Sequence, residues 1–400
     1  MRGVAAPRLV TCDPARATDG DPLGVLEDAA IVWDGAGAIA YVGPRAGAPA
    51  VELEIAPGVV TPGLVDAHTH AAWAGSRHLE YAVRMAGGDY RAIAAAGGGI
   101  VASHRAIEQA SEDELARALA ARLARMARLG VTCVEVKSGY GLTPELELRQ
   151  LRAIARAAAD SGAPRVVPTY LALHAVPPAL AERRAEFVAG AVGLVAEVAR
   201  LGLARFVDAY VDAHAFTVDE ARALGAAARA AGLGVRLHVG QFADVGGAEL
   251  AAELGARSAD HLEHVGEAGA AALARAKVAA VLLPVASFTL GQPPPPVEAL
   301  RRAGVSLVVA SDANPGTAPT ESLPLAMALA VRSYGLTPAE ALLGATREAA
   351  RTLDGAATGV LRAGDPADLV LWDLPHEIAI VQPWGAPRAA KVVRGGAPIA

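Results

Sequence analysis

From Val59 onward, short β-branched or apolar runs alternate with longer stretches rich in Ala, Leu, Arg and Glu. Runs of near-continuous apolar character read as strands buried on both faces, and the stretches between them read as amphipathic helices. The alternation predicts βα units around a parallel sheet. Eight runs are present, at 59–68, 131–137, 165–173, 205–212, 234–239, 258–264, 279–286 and 306–311, and eight suits a closed barrel. Ser111 with Glu114, Thr217 with Glu220, and Thr337 with Pro338 and Glu340 read as capping boxes that start helices. Residues 8–56 and 360–398 lack the helical stretches and carry short strand-like runs broken by Gly, Pro and Asp, with Asp34-Gly35 as a hairpin turn. Neither end has strands enough for a core of its own. The expected fold is therefore α/β: a (β/α)8 TIM-like barrel over 57–359 with a small discontinuous β-sandwich domain built from both chain ends, 1–56 and 360–400.

Composition narrows this picture. The chain has 400 residues, enough for one large barrel with an accessory piece. Hydrophobic residues make up 53% and charged residues 20%, without a long like-charge run, which excludes a disordered chain. A net charge of −6 argues against a nucleic-acid partner. No stretch of about 18 apolar residues is available to span a membrane, and Arg2, Pro7 and Arg8 stand where a signal peptide would need an apolar core. A cytoplasmic protein is expected. Cys12 and Cys133 are the only cysteines and lie far apart, as in a reducing compartment, and they rule out a thiolate zinc cage. Any metal must use nitrogen and oxygen ligands.

The first run ends Thr-Pro-Gly-Leu-Val-Asp-Ala-His-Thr-His, residues 61–70. Side chains two apart on a strand leave the same face, so His68 and His70 can meet one ion at the catalytic rim of a barrel. Polar or titratable residues stand at nearly every other strand tip: Lys137, His174, Asp212, His238, His261 with His264, Ser287 and Asp312. His68, His70, His238 and Asp312 form the best metal set, because three imidazoles and a carboxylate suit Zn2+ or Fe2+ and leave room for a water. A bound ion brings that water's pKa toward about 7. Asp312 could touch the metal and also carry the proton from water to leaving group, or it could be an Asx-turn residue ahead of Asn314-Pro315-Gly316. His261, sharing a face with Glu263 by strand alternation, is expected to orient or deprotonate the water, and His264 to be structural. Lys137 could bridge two metals as a carbamate, or could bond neighbouring carbonyls. Arg77, seven residues past His70, could hold a substrate carboxylate bidentately or lie on the surface. Tyr140 sits between glycines on a tip loop that should expose its ring. Gly97 to Gly99 lack the lysine and strand of a P-loop and predict only a close backbone approach. Pro293 to Pro296 predict a stiff rim loop.

These residues resemble the amidohydrolase superfamily and, within it, the imidazolonepropionase family. The likeness runs through His-Thr-His with Gly-Ser-Arg, Gly-Gly-Gly-Ile, Glu-Val-Lys-Ser-Gly-Tyr-Gly-Leu, Leu-His-Ala-Val-Pro, Ser-Ala-Asp-His, Val-Leu-Leu-Pro and Ser-Asp-Ala-Asn-Pro-Gly, and so spans nearly the whole chain. It implies hydrolysis of 4-imidazolone-5-propionate to N-formimidoyl-L-glutamate, the third step of histidine degradation, with metal-bound hydroxide attacking the ring carbonyl. It implies one Zn2+ or Fe2+ on His68, His70, His238 and Asp312, catalytic His261 and Asp312, and a propionate carboxylate on Arg77. Tyr140, His174, Asn314, Gly316 and Thr317 would line the substrate pocket, with Tyr90 nearby. A homodimer is plausible by the same resemblance. Many members carry a glutamate three residues after the metal histidine of the fifth strand, where this chain has Gln241. An amide cannot be a general base but can still donate to and accept from the substrate ring. The Asp212-Ala-His214 string has no counterpart in the family pattern. Alternatives are a deaminase or another cyclic-amide hydrolase acting on a carboxylate-bearing heterocycle and, from a different class, a non-catalytic scaffold, which the intact ligand set disfavours.

Overall fold

The computed structural model describes residues 1–88, 98–160, 162–384, 386 and 388–400. Five strands precede the barrel: β1 (Arg2–Val10), β2 (Val25–Trp33), β3 (Ile39–Pro44), β4 (Leu53–Ile55) and β5 (Val59–Pro62). Eight more form the barrel: β6 (Leu64–Asp66), β7 (Val131–Lys137), β8 (Arg165–Leu173), β9 (Phe206–Val211), β10 (Gly234–Val239), β11 (Ser258–His261), β12 (Ala279–Leu282) and β13 (Leu307–Val309). Three close the chain: β14 (Leu369–Trp372), β15 (Ala389–Arg394) and β16 (Ala397–Pro398).

The barrel strands pair in parallel and in chain order from β6 to β13, each within one of the eight predicted runs. Closure between β13 and β6 is made less by a ladder than by single contacts. Thr69 and Ala313 form an isolated parallel bridge, His70 N donates to Ala313 O, and Ser311 donates its backbone N and its hydroxyl to the two carboxylate oxygens of Asp66. The three predicted capping boxes are present, at Ser111 with Glu114, Thr217 with Glu220 and Thr337 with Glu340.

Several runs are shorter as strands than as patterns, and three of them show why. Run 59–68 divides at Gly63: β5 belongs to the chain-end sheet and β6 to the barrel. A Cβ at Gly63 would lie 2.1 Å from Thr132 Oγ1, so only glycine lets the chain pass from one sheet into the other here. Run 279–286 stops at Leu282 because Pro284 opens the helix Pro284–Leu290, which carries Ser287. Run 258–264 stops at His261, where His261 and Leu262 take positive φ of 81° and 73°. Strand alternation therefore does not reach Glu263.

The chain ends supply one eight-stranded mixed sheet in the order β16-β15-β14-β5-β1-β2-β3, with β4 beside β1. This is the layer expected as a small sandwich, and its strands bury both faces with period two. Leu369 and Leu371 join Val4, Ile31, Trp33 and Val393 in one apolar cluster, while Val370 and Trp372 join the cluster of the barrel. Asp34 holds the predicted turn between β2 and β3, accepting from Ala36 N and Ala38 N. No helix among the described residues is long and apolar enough to cross a membrane.

Candidate active site

At the C-terminal rim the chain stays extended past β6 because its neighbours hold it: His68 O accepts from Asp312 N, and Thr69 O accepts from Lys137 N. His68 and His70 thus point into the barrel together, and His238 meets them from β10. Ligand atoms of the three imidazoles lie within 4.8 Å of one another. His70 Nε2 is 3.3 Å from His238 Nε2, and Asp312 Oδ1 is 3.5 Å from the Nε2 of both His68 and His70. Nitrogens bound tetrahedrally at 2.0–2.1 Å from one ion stand about 3.3–3.4 Å apart, so these four groups have the spacing of a first coordination sphere.

The opposite edges of two imidazoles are fixed. His68 Nδ1 lies 2.6 Å from Asp260 Oδ2, and His238 Nδ1 lies 3.0 Å from Asp208 Oδ1. A proton on each Nδ1 leaves the Nε2 lone pair for a metal. His68 Nε2 is buried without a hydrogen-bond partner, as expected of an atom meant for an ion. Burial, with Lys137 next for His68 and His174 next for His70, holds both imidazoles well below their ordinary range and so neutral. Asp312 takes φ +54°, and burial pushes its carboxyl up to about 7. The Asx turn that follows is made by Asn314, whose Oδ1 accepts from Gly316 N and Thr317 N.

A cavity of about 660 Å³ opens on this group. Of the residues expected there, His70, Arg77, Tyr140, His174, His238, Gln241, His261, Asp312, Asn314 and Thr317 line it. His68 lies behind, and Gly316 lies under Arg77: a Cβ at Gly316 would come within 2.3 Å of the guanidinium. Arg77 is half-buried, and the expected bidentate pairing is made within the chain, its Nε and Nη2 donating to Glu80 at 2.7 and 2.6 Å. Glu80 also accepts from Arg84 Nη2 and from Gly99 N. The Tyr140 ring is 2% exposed, contrary to the expectation from its flanking glycines, because His70 and His174 stand 6.0 and 5.3 Å from it, centroid to centroid. His174 Nδ1 donates to Gly139 O at 2.7 Å, and burial lowers its pKa to about 3. His261 Nδ1 is 3.7 Å from Glu263 Oε2. Burial opposes its charge, yet Glu263 raises it above the ordinary imidazole value. Gln241 Oε1 accepts from Tyr210 OH at 2.9 Å, which leaves the amide nitrogen as the donor it offers the cavity.

Lys137 Nζ lies 2.8 Å from Asp208 Oδ2 and 3.0 Å from Glu135 Oε1, between two carboxylates and not at backbone carbonyls. Burial works against its charge, and Asp208 and Glu135 more than offset it. His264 is exposed, His214 is at the cavity rim, and Ser287 donates to Glu263 Oε1 instead of reaching the site. Tyr90 and Gly97 lie outside the described residues. The sequence reading missed Glu80, Arg84, Tyr210, Asp208 and Asp260. Asp208 carried a signal: a carboxylate in the middle of a buried strand run needs a partner.

A model of the amidohydrolase family matches residues 59–398. The chain belongs to the amidohydrolase family. An imidazolonepropionase of Chromobacterium violaceum is 46% identical over 399 residues, covering 98% of this chain and 95% of that one. One of Caulobacter vibrioides is 43% identical over 396 residues, covering 97% of each. Among solved structures, an adenosine deaminase from Xanthomonas campestris with bound zinc is similar, with a TM-score of 0.72 and 21% identity over 99% of this chain and 92% of that one. At that identity the likeness is one of fold. In this amidohydrolase the three-histidine group, with unpartnered nitrogen facing inward, suits a divalent metal.

Proposed function

We propose that this amidohydrolase hydrolyses the cyclic amide of 4-imidazolone-5-propionate to N-formimidoyl-L-glutamate, with His68, His70, His238 and Asp312 holding one Zn2+ or Fe2+. The observation that carries the reading is the 46% identity over nearly the full length to an imidazolonepropionase, joined to a cavity that sets an arginine across from the three imidazoles. When bound, the ion polarises the ring carbonyl and acidifies water. The chain's own residues do the rest.

Arg77 and Arg84 against Glu80 leave one formal positive charge at the mouth of the cavity, matched to a single carboxylate. Glu80 fixes the plane of the Arg77 guanidinium, and Gly316 gives it room, so Arg77 meets the propionate carboxylate already oriented. Gln241, with its oxygen occupied by Tyr210, donates through Nε2 to the ring. Proton transfer then falls to Asp312 and His261. Asp312 takes a proton from the attacking water and returns it to the ring nitrogen as the C–N bond breaks. His261, with Nδ1 3.7 Å from Glu263 Oε2, stabilises the developing oxyanion. Tyr140 and His174 wall the ring.

The decisive experiment follows N-formimidoylglutamate formed from freshly generated 4-imidazolone-5-propionate, before and after chelation. Chelator-sensitive turnover restored by Zn2+ or Fe2+ is expected. Metal bound without turnover would overturn the substrate and shift attention to other carboxylate-bearing cyclic amides, with Gln241 as the residue that changed the preference.

A further inference from the structure

Beneath the imidazoles lies a charged cluster that the reaction above does not use. Lys137 on β7 is fully buried, 2.8 Å from Asp208 Oδ2 on β9, 3.0 Å from Glu135 Oε1 on its own strand and 3.9 Å from Asp260 Oδ2 on β11. Each of those carboxylates also reaches a different part of the ligand set. Asp208 pairs with His238 Nδ1, and Asp260 with His68 Nδ1. Glu135 accepts from the backbone N of Thr69, between His68 and His70, through its other oxygen at 3.1 Å. Arg236, also fully buried, is 3.7 Å from Asp260, but it donates to the carbonyls of Ala67 and Thr352.

We propose that Lys137 is a positioning residue for the metal centre, one ammonium that holds three carboxylates where they fix His238, His68 and the backbone between His68 and His70. The inference rests on the reading of those histidines as metal ligands. The physical reason is the cost of unpaired buried charge: without the ammonium, Asp208 and Asp260 lose the cation they share and must turn toward other donors or draw water in. Either change removes the acceptor that sets each imidazole's tautomer and plane, and the ligand nitrogens lose their alignment. A compact ammonium suits this role, since its charge and three rotatable donors sit on one small group among carboxylates from three strands.

The test titrates chelator-stripped protein with Co2+ against a competing chromophoric chelator, reading the Kd and the visible d–d bands of bound Co2+. Lys137→Met is compared with wild type. Lys137→Met/Glu135→Gln, which removes one negative charge along with the positive one, is compared with Glu135→Gln. In both comparisons the lysine-less protein is expected to bind about 10–100-fold more weakly and to show altered d–d bands, with far-ultraviolet circular dichroism unchanged. If Lys137→Met does not fold, the charge-balanced pair decides. A Kd within twofold and unchanged bands in either comparison would reduce Lys137 to charge balance and overturn the proposal. Failure of wild type to bind Co2+ would instead bring down the metal reading itself, and this inference with it.

Discussion

The floor of the site and its mouth hold their functional side chains by different means. On the floor, His68 and His238 are fixed by carboxylates that stand on barrel strands, Asp260 on β11 and Asp208 on β9, all buried. At the mouth, Arg77 is held by Glu80 one turn further along a short helix, and lies over Gly316 in a turn that Asn314 closes on itself. Strand side chains are set by a ladder that neighbours enforce from both sides, so the floor is stiff by construction. Loop side chains depend on a few local bonds and on the absence of obstructing atoms. The floor suits a metal, whose distances tolerate little error. The mouth suits a substrate that must enter and leave.

Substitutions can separate the two layers. Asp312→Asn should have the largest effect, a fall of about 100- to 10,000-fold in kcat, because the amide can neither accept the water's proton nor return it. A kcat within a few-fold of wild type in metal-replete protein would remove Asp312 from proton transfer. Gly316→Ala should act at the mouth alone. Its Cβ would displace the Arg77 guanidinium, and losing a charge-assisted contact to the carboxylate should raise KM about 10- to 100-fold while metal content stays unchanged. An unaltered KM would show that Arg77 does not meet the substrate from its present position.

Acidity probes the floor without mutation. In metal-free protein the Asp312 carboxyl, raised to about 7 by burial, holds a proton that an incoming ion must displace. Apparent metal affinity should therefore weaken by up to about tenfold for each pH unit below 7 and level off above it, as chelator competition at several pH values would reveal. Stability of the metal-free fold runs the other way. A carboxyl whose folded pKa lies above its ordinary value favours the fold at low pH, and that contribution is lost as pH rises through 7. Asp66, also pushed up to about 7 by burial, adds to the same trend. The smallest effect belongs outside both layers. Thr337→Ala deletes the cap of helix Pro338–Gly344 and should cost about 1 kcal/mol of stability by thermal melt, leaving kcat unchanged.

The same division marks what could be read from the chain alone. The eight barrel strands, the capping boxes and the gathering of His68, His70, His238 and Asp312 were legible, because each depends on a short period or on a tip position that the barrel turns into proximity. Tyr140 was misjudged because flanking glycines report backbone freedom and say nothing of what packs over the ring. Arg77 was placed correctly at the cavity, but its tether to Glu80 was not foreseen, since an i, i+3 pair on a helix start is common on any surface. The pairing of Lys137 with Asp208 spans 71 residues, and no local pattern encodes which strand a buried charge will face.

One further consequence follows from the way the chain-end sheet is sewn together. Strand β5 leads through Gly63 into the first barrel strand, yet the edge of β5 is covered only by β14, whose residues Leu369, Val370 and Leu371 pair with Pro62, Thr61 and Val60. During synthesis on the ribosome, the barrel's opening strand therefore emerges attached to a raw sheet edge whose partner is made more than three hundred residues later. Until then that edge is open to pairing with other chains. The seam between the two ends of the chain converts a nascent liability into a closed surface.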